Sequence, residues 1–262
     1  MSGILFDLDG VFYVGDRAIP GGAETLAWVR RQEIPHCFLT NTTSKPRDAL
    51  VAKLEGLGLT TDAEHILTPP VAACRWITQN LNGPVVLFVP AATEAEFSHL
   101  TLAYRNTQQP VAAVIIGDLG EAWDFATLNQ AFRLLMQQPP PRLIALGMTR
   151  YWRAPDGLRL DVAPFVHALQ HACGIEPVVL GKPSATFYHS ALEIIGCMPE
   201  QSVMIGDDIR GDVAAAQQAG LRALLVHTGK FQDSDLSGDI TPDGQLASIA
   251  ELPDWWGRAV LS

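Results

Sequence analysis

Short apolar runs alternate with helical stretches along most of this chain, and that alternation restricts it to a parallel β-sheet covered by helices. The runs are Ile4 to Phe6, His36 to Leu39, Val85 to Val89, Val111 to Ile116, Arg142 to Leu146, Val178 to Leu180 and Ser202 to Ile205. Each is short enough for a strand buried on both faces. Helix signals fall between them. Pro20-Gly21-Gly22 opens a helix through about Arg31, and others are expected over Pro46 to Leu57, Phe125 to Met136, Pro164 to Ala172 and Ser184 to Ile195. A further helix starts near Asp212 and stops at Gly220, a residue suited to a helix C-terminus.

At 262 residues the chain has room for one large domain or two smaller ones. Ile66-Leu67-Thr68-Pro69-Pro70 reads as an exit from a first domain, with the double proline as a linker or hinge edge. The middle has its own strand and helix alternation. The expected organisation is a Rossmann-like parallel-sheet core at 1–75 and 179–262, with an inserted α/β domain at 76–178. With 48% hydrophobic and 18% charged residues, it has the composition of an ordinary soluble protein. A net charge of −10 and the lack of a basic run argue against nucleic acid or an anionic membrane as partner. The apolar runs are too short to span a bilayer. Cys37, Cys74, Cys173 and Cys197 are widely spaced with no Cys-x-x-Cys, which argues against a disulfide framework or a structural zinc site. A cytoplasmic location fits, since no basic leader precedes the first strand.

Chemistry-bearing residues stand where the strands end. Asp7 and Asp9 follow the first apolar run, and residues two apart leave a strand on the same side. Ligands in open α/β sheets bind outside the carboxyl ends of strands. Thr40 and Asn41 follow the second run, Lys182 the sixth, and Asp207 and Asp208 the seventh, with Asp212 one turn further. An EF-hand calcium loop is excluded because Ala18 stands where its bidentate Glu belongs. Walker A is excluded because Pro183 replaces the Ser or Thr and Glu176 the first glycine. An acidic pair, a hydroxyl with an amide, one cation and a second acidic pair can build a magnesium-assisted phosphoryl-transfer site. His167 and His171 have the spacing of a metal pair, but no Glu lies between them and no third ligand is evident, so they read as solvated surface.

These four sites resemble the four motifs of the haloacid dehalogenase superfamily of phosphohydrolases: Asp7-x-Asp9-Gly10-Val11, Leu39-Thr40-Asn41, Gly181-Lys182-Pro183 and Gly206-Asp207-Asp208-x-x-x-Asp212. The resemblance runs over nearly the whole chain. Asp9 and Thr40 are too close for a domain between them, whereas the stretch from Thr40 to Lys182 holds one, as in subclass IIA with its large α/β cap (the C2 type). Leu128 to Leu135, Arg150-Tyr151, Asp156-Gly157-Leu158 and His227-Thr228-Gly229-Lys230 are most similar to the haloacid dehalogenase-like hydrolase domain-containing protein 2 group, which is close to phospholysine phosphohistidine inorganic pyrophosphate phosphatase.

The resemblance implies an enzyme in which Asp7 attacks phosphorus and Asp9 serves as general acid and base. It implies Mg²⁺ held by the Asp7 and Asp207 carboxylates and the Asp9 backbone carbonyl, and phosphate binding by Thr40, Asn41 and Lys182. Asp208 would support the metal and Asp212 would orient Lys182. The expected substrate is a small phosphorylated molecule, with phosphoramidates or pyrophosphate included. The competing function is a phosphometabolite-binding regulatory protein with little catalysis. In the cap, Arg150, Tyr151, Trp152 and Arg153 are candidates to face a leaving group. The loop Asp161-Val162-Ala163-Pro164 is expected to point at the site, although Asp161 and Ala163 stand where relatives usually carry glycine. Family caps often mediate dimerisation, which makes a homodimer an expectation. Pro253-Asp254-Trp255-Trp256 is expected either to cover the core or to join such an interface.

Overall fold

The structure, a computed structural model, describes residues 1–154 and 156–261. The first stretch holds β1 (Gly3–Asp7), a hairpin of β2 (Tyr13–Val14) and β3 (Arg17–Ala18), α1 (Gly22–Arg31), β4 (His36–Leu39), α2 (Arg47–Gly56) and β5 (Ile66–Leu67). The middle holds α3 (Pro69–Asn80), β6 (Val85–Phe88), α4 (Ala91–Glu94), β7 (Ala113–Ile116) and α5 (Phe125–Leu135). It continues with β8 (Arg142–Ala145), β9 (Tyr151–Ala154), β10 (Gly157–Leu160), α6 (Val162–Cys173) and β11 (Val178–Val179). The last stretch has α7 (Ala185–Ile195), β12 (Ser202–Gly206), a π-helical turn (Ile209–Ala214) running into α8 (Ala215–Gln218), β13 (Arg222–Val226), β14 (Gly244–Leu246) and α9 (Leu252–Leu261).

Two compact units result, one of residues 1–40, 47–67 and 182–262, the other of 41–46 and 68–181. The first unit carries a six-stranded sheet in the order β14-β13-β12-β1-β4-β5, with every pairing parallel. The chain leaves β1 toward β4 and later returns to β12 on its other side. The strand order therefore reverses at β1, the place where open α/β sheets bind ligands. All five residues of β1 are buried, as a strand covered on both faces requires. Phe6, Phe12 and Phe38 form one aromatic knot with ring centroids 5.2 to 5.7 Å apart. In the tail, Trp256 of α9 packs edge-on against Trp28 of α1 at 6.5 Å, and Trp255 and Trp256 lie on the core while Asp254 is exposed.

The second unit has a four-stranded parallel sheet, β11-β8-β7-β6, and a separate antiparallel hairpin of β9 and β10. Val86, Phe88, Val114 and Ile116 meet Leu134 of α5 and Val166 and Leu169 of α6 in its core.

Two local expectations change. The chain leaves the first unit within Ile66 to Pro70, as expected, but Pro69 and Pro70 form no linker: they open α3, where the missing N–H groups would be unpaired in any case. Cys74 of that helix donates to the Glu96 carbonyl at 3.3 Å, and α3 thereby belongs to the second unit. By compactness the chain divides at 67/68 and 181/182, with the short stretch 41–46 joining the second unit. Asp161 to Pro164 form no loop either. Asp161 is the N-cap of α6, its Oδ1 accepting from Val162 N at 2.7 Å, and the next three residues are the first helical turn.

Candidate active site

Three strand ends of the first unit deliver the polar residues. Asp7 closes β1, and Asp207 comes directly after β12, whose register aligns Phe6 with Ile205. Thr40 comes directly after β4, its N–H donating to the Leu67 carbonyl at 3.2 Å, and its side chain is buried. Lys182 begins the last stretch of this unit.

Lys182 is the hub. Its Nζ donates to Asp7 Oδ1 at 2.6 Å and to Asp212 Oδ1 at 2.8 Å, and the three residues are 8%, 5% and 1% exposed. Burial alone would lower the lysine pKa, but the Asp212 and Asp7 carboxylates outweigh it and hold the ammonium charged well above the usual range. Burial raises the Asp7 carboxyl against the pull of Lys182, and raises Asp212 to about 6.

Asp212 is placed by local backbone bonding. Asp208 caps the π-helical turn, its Oδ1 accepting from Gly211 N at 2.8 Å and Arg210 N at 3.0 Å. Asp208 N in turn donates to Asp212 Oδ2 at 3.3 Å, and Tyr188 of α7 donates its hydroxyl to the Gly211 carbonyl at 2.9 Å. A Cβ on Gly206 would stand 2.3 Å from Asp212 Oδ2, so only glycine lets the turn come this close to the strand end. Although burial opposes it, the Gly211 and Arg210 N–H groups and Lys230 hold the Asp208 carboxyl below its ordinary value.

Asp207 is 1% exposed. Its Oδ2 accepts from Lys230 N at 2.7 Å, while its Oδ1 is buried with no hydrogen-bond partner among the described residues. Burial raises this carboxyl to about 6. Asp7, Asp207 and Asp212 each place a carboxylate oxygen within 4.8 Å of the others. An orphaned buried oxygen beside two more acidic groups fits a divalent cation, and an all-oxygen donor set suits Mg²⁺ chemistry.

Asp9 gives no carboxylate to this cluster. It is exposed, in the turn where Gly10 N donates to the Tyr13 carbonyl at 2.7 Å. Asn41 is exposed and belongs to the second unit. There too lie Arg150, its guanidinium 5.8 Å from the centre of the Tyr151 ring, and Tyr151 itself, 52% exposed on β9. The Asp161 backbone N–H donates to the Arg150 carbonyl at 3.1 Å, and burial raises the Asp161 carboxyl above its ordinary range. The side chain of Arg153 lies outside the described residues. His167 and His171 are exposed on α6.

Comparison with known proteins decides the family. Residues 4–102 match a family model described as haloacid dehalogenase-like hydrolase, and residues 179–252 match one described as HAD-hydrolase-like. The human phospholysine phosphohistidine inorganic pyrophosphate phosphatase is 39% identical over 97% of this chain and 93% of its own length. The chain belongs to the haloacid dehalogenase-like hydrolases. Bovine haloacid dehalogenase-like hydrolase domain-containing protein 2 is 38% identical over 90% of this chain and 87% of its own. The solved p-nitrophenyl phosphatase of Archaeoglobus fulgidus superposes with a TM-score of 0.86 at 25% identity, covering 97% of this chain and 98% of that one. Like the human and Archaeoglobus proteins, the chain is an enzyme of the phosphatase kind.

One part of the site enters the sequence reading only as a likeness, His227 to Lys230, with no role attached. The apolar run before His227 is a fifth strand, β13, and the turn after it, Thr228-Gly229-Lys230, reaches both Gly10 and Asp207. A strand leading into a polar, glycine-containing turn is the available signal.

Proposed function

We propose that this enzyme is a Mg²⁺-dependent phosphohydrolase of small phosphorylated compounds that works through an aspartyl-phosphate on Asp7. The observation that carries this reading is the buried Asp207 Oδ1, without a hydrogen-bond partner among the described residues, in a cluster with Asp7, itself paired to the Lys182 ammonium. Asp7 and Asp207, with the Asp9 backbone carbonyl, are the residues that would hold Mg²⁺. Bound there, the ion neutralises charge between the carboxylates and the dianionic phosphoryl group.

In the first displacement an Asp7 oxygen bonds to phosphorus as the bond to the leaving oxygen or nitrogen breaks, and Asp9 gives its proton to that leaving atom. In the second, the Asp9 carboxylate takes a proton from water, the water oxygen bonds to phosphorus, and the bond from phosphorus to the Asp7 oxygen breaks, releasing phosphate and restoring the Asp7 carboxylate. The exposure of Asp9 suits a group that must exchange protons twice in a cycle. Thr40, Asn41 and Lys182 donate to the phosphoryl oxygens, where charge shifts in the transition state. Asp212 orients Lys182, and Asp208 supports the metal side.

The second unit is assigned the choice of leaving group, with Arg150, Tyr151 and Asp161 as its candidate residues. By likeness to the human relative, the substrate class extends to phosphoramidates such as phospholysine and phosphohistidine, and to pyrophosphate. No described helix is long and apolar enough to cross a membrane. A cytoplasmic, homodimeric enzyme is part of this reading.

The test is phosphate release from aryl phosphate, sugar phosphates, pyrophosphate and phospholysine, with Mg²⁺ or chelator, beside Asp7→Asn. The expected result is activity abolished by chelator and reduced by at least about 10³-fold in the variant. Turnover by Asp7→Asn at the wild-type rate would sink the mechanism.

A further inference from the structure

The turn Thr228-Gly229-Lys230 takes no part in the reaction above, yet it grips both backbone and side chain at the acidic cluster. Thr228 donates its hydroxyl to the Gly10 carbonyl, a short hydrogen bond. Lys230 N donates to Asp207 Oδ2 at 2.7 Å. Between them, Gly229 adopts φ +64°, and a Cβ there would fall 2.1 Å from Asp207 Oδ2 and 2.4 Å from the Gly10 Cα. Gly10 has φ +91°, and a Cβ on it would overlap the same Oδ2. Asp207 Oδ2 is thus pinned in a slot floored by two glycines, and of its two oxygens Oδ1 is the one without a hydrogen-bond partner among the described residues.

We propose that this turn is the positioning element for the divalent ion. Lys230 N occupies one oxygen of Asp207, so the carboxylate can turn only its other oxygen to a cation. Thr228 fixes the Gly10 carbonyl while the Tyr13 carbonyl accepts from the Gly10 N–H at 2.7 Å; that N–H shares its peptide plane with the Asp9 carbonyl, so the carbonyl is held on both sides of Gly10. Groups that fix metal ligands in this way change metal affinity without touching the ion. The inference rests on the Mg²⁺-dependent reading.

The test compares wild type with Thr228→Val, which keeps shape and loses the donor, and Thr228→Ser, which keeps the donor. Mg²⁺ is titrated into the substrate-free enzyme and its thermal unfolding midpoint recorded; the Mg²⁺ dependence of phosphate release is measured separately. For Thr228→Val the half-saturating Mg²⁺ should rise about tenfold or more in both titrations, with turnover recovering at high Mg²⁺. Thr228→Ser should stay within about threefold of wild type, because it keeps the donor. If Thr228→Val does not fold, Thr228→Ala takes its place against the same serine control. Wild-type half-saturation in the valine or alanine variant, or a serine variant as weak as either, overturns the inference. A wild-type enzyme whose midpoint ignores Mg²⁺ overturns the reading beneath it, and that result is visible before any variant is made.

Discussion

Replacing Lys182 by Met removes one charge while keeping a long side chain, and its effect should depend on pH in a way that packing loss cannot imitate. The Lys182 side chain is 7% exposed, between Asp7 at 8% and Asp212 at 1%. Without it two carboxylates lie buried with no counter-charge, a situation that costs about 3–5 kcal/mol when the acids are ionised. In the variant the folded-state carboxyls rise further above their unfolded value near 3.9, so the native state binds more protons than the unfolded state between the two. Stability then falls as pH rises through that window. The deficit against wild type should be about 3–5 kcal/mol at pH 8 and shrink toward about 1–2 kcal/mol at pH 5, where protonation relieves the variant. Urea unfolding of both proteins in chelator at pH 5, 6, 7 and 8 measures it. A deficit constant across that range refutes the electrostatic account, and a variant as stable as wild type at pH 8 removes it altogether.

Stabilisation by Mg²⁺ should weaken in acid. Asp207, raised to about 6, must lose its proton to bind, so half-saturating Mg²⁺ should rise about tenfold between pH 7.5 and pH 5. Equal titrations at the two pH values would contradict this. At the other end of β4, His36 is buried with Nε2 unpartnered among the described residues and its ring stacked on His65 at 4.8 Å. Burial lowers its pKa, so the stability it supports is present above about pH 6.5 and is lost as pH falls through the folded value. Lowering the pH from 7 to 5 should therefore cost His36→Phe less stability, by urea midpoint, than it costs wild type, and an identical pH dependence in the two proteins would place any acid sensitivity elsewhere.

The strands that matter most are legible because their ends coincide with changes of residue type. Ile4 to Phe6 gives way to Asp7, and Ser202 to Ile205 gives way to Gly206-Asp207, so strand and site are readable together. Pro69-Pro70 misleads because proline breaks a helix interior but starts one freely, and only the ten helical residues after the pair tell the two cases apart. Resemblance puts Asp161 in a loop, while its own side chain caps a helix that begins one residue later. The role of Asp212 in the acidic cluster depends on a π-helical turn that its sequence does not mark. The grip of Thr228 and Lys230 is hidden for another reason. Lys230 holds Asp207 through its backbone N–H, which every residue but proline possesses, so its type carries no sign of that contact.

Because β1 is a central strand whose neighbours are β4 and β12, half of its ladder comes from a part of the chain made much later. Asp7 and Lys182 are 175 positions apart, and β12 comes later still. At ribosomal speeds of roughly 5–20 residues per second, β1 waits about 10–40 s for the strand that pairs with its open side. Residues 68–181 emerge meanwhile as one continuous run and can fold on their own schedule. During that interval Ile4 to Phe6 form a fully apolar edge that invites pairing with another chain. A fragment that ends between β5 and β12 therefore leaves one edge of β1 unpaired and open to another chain.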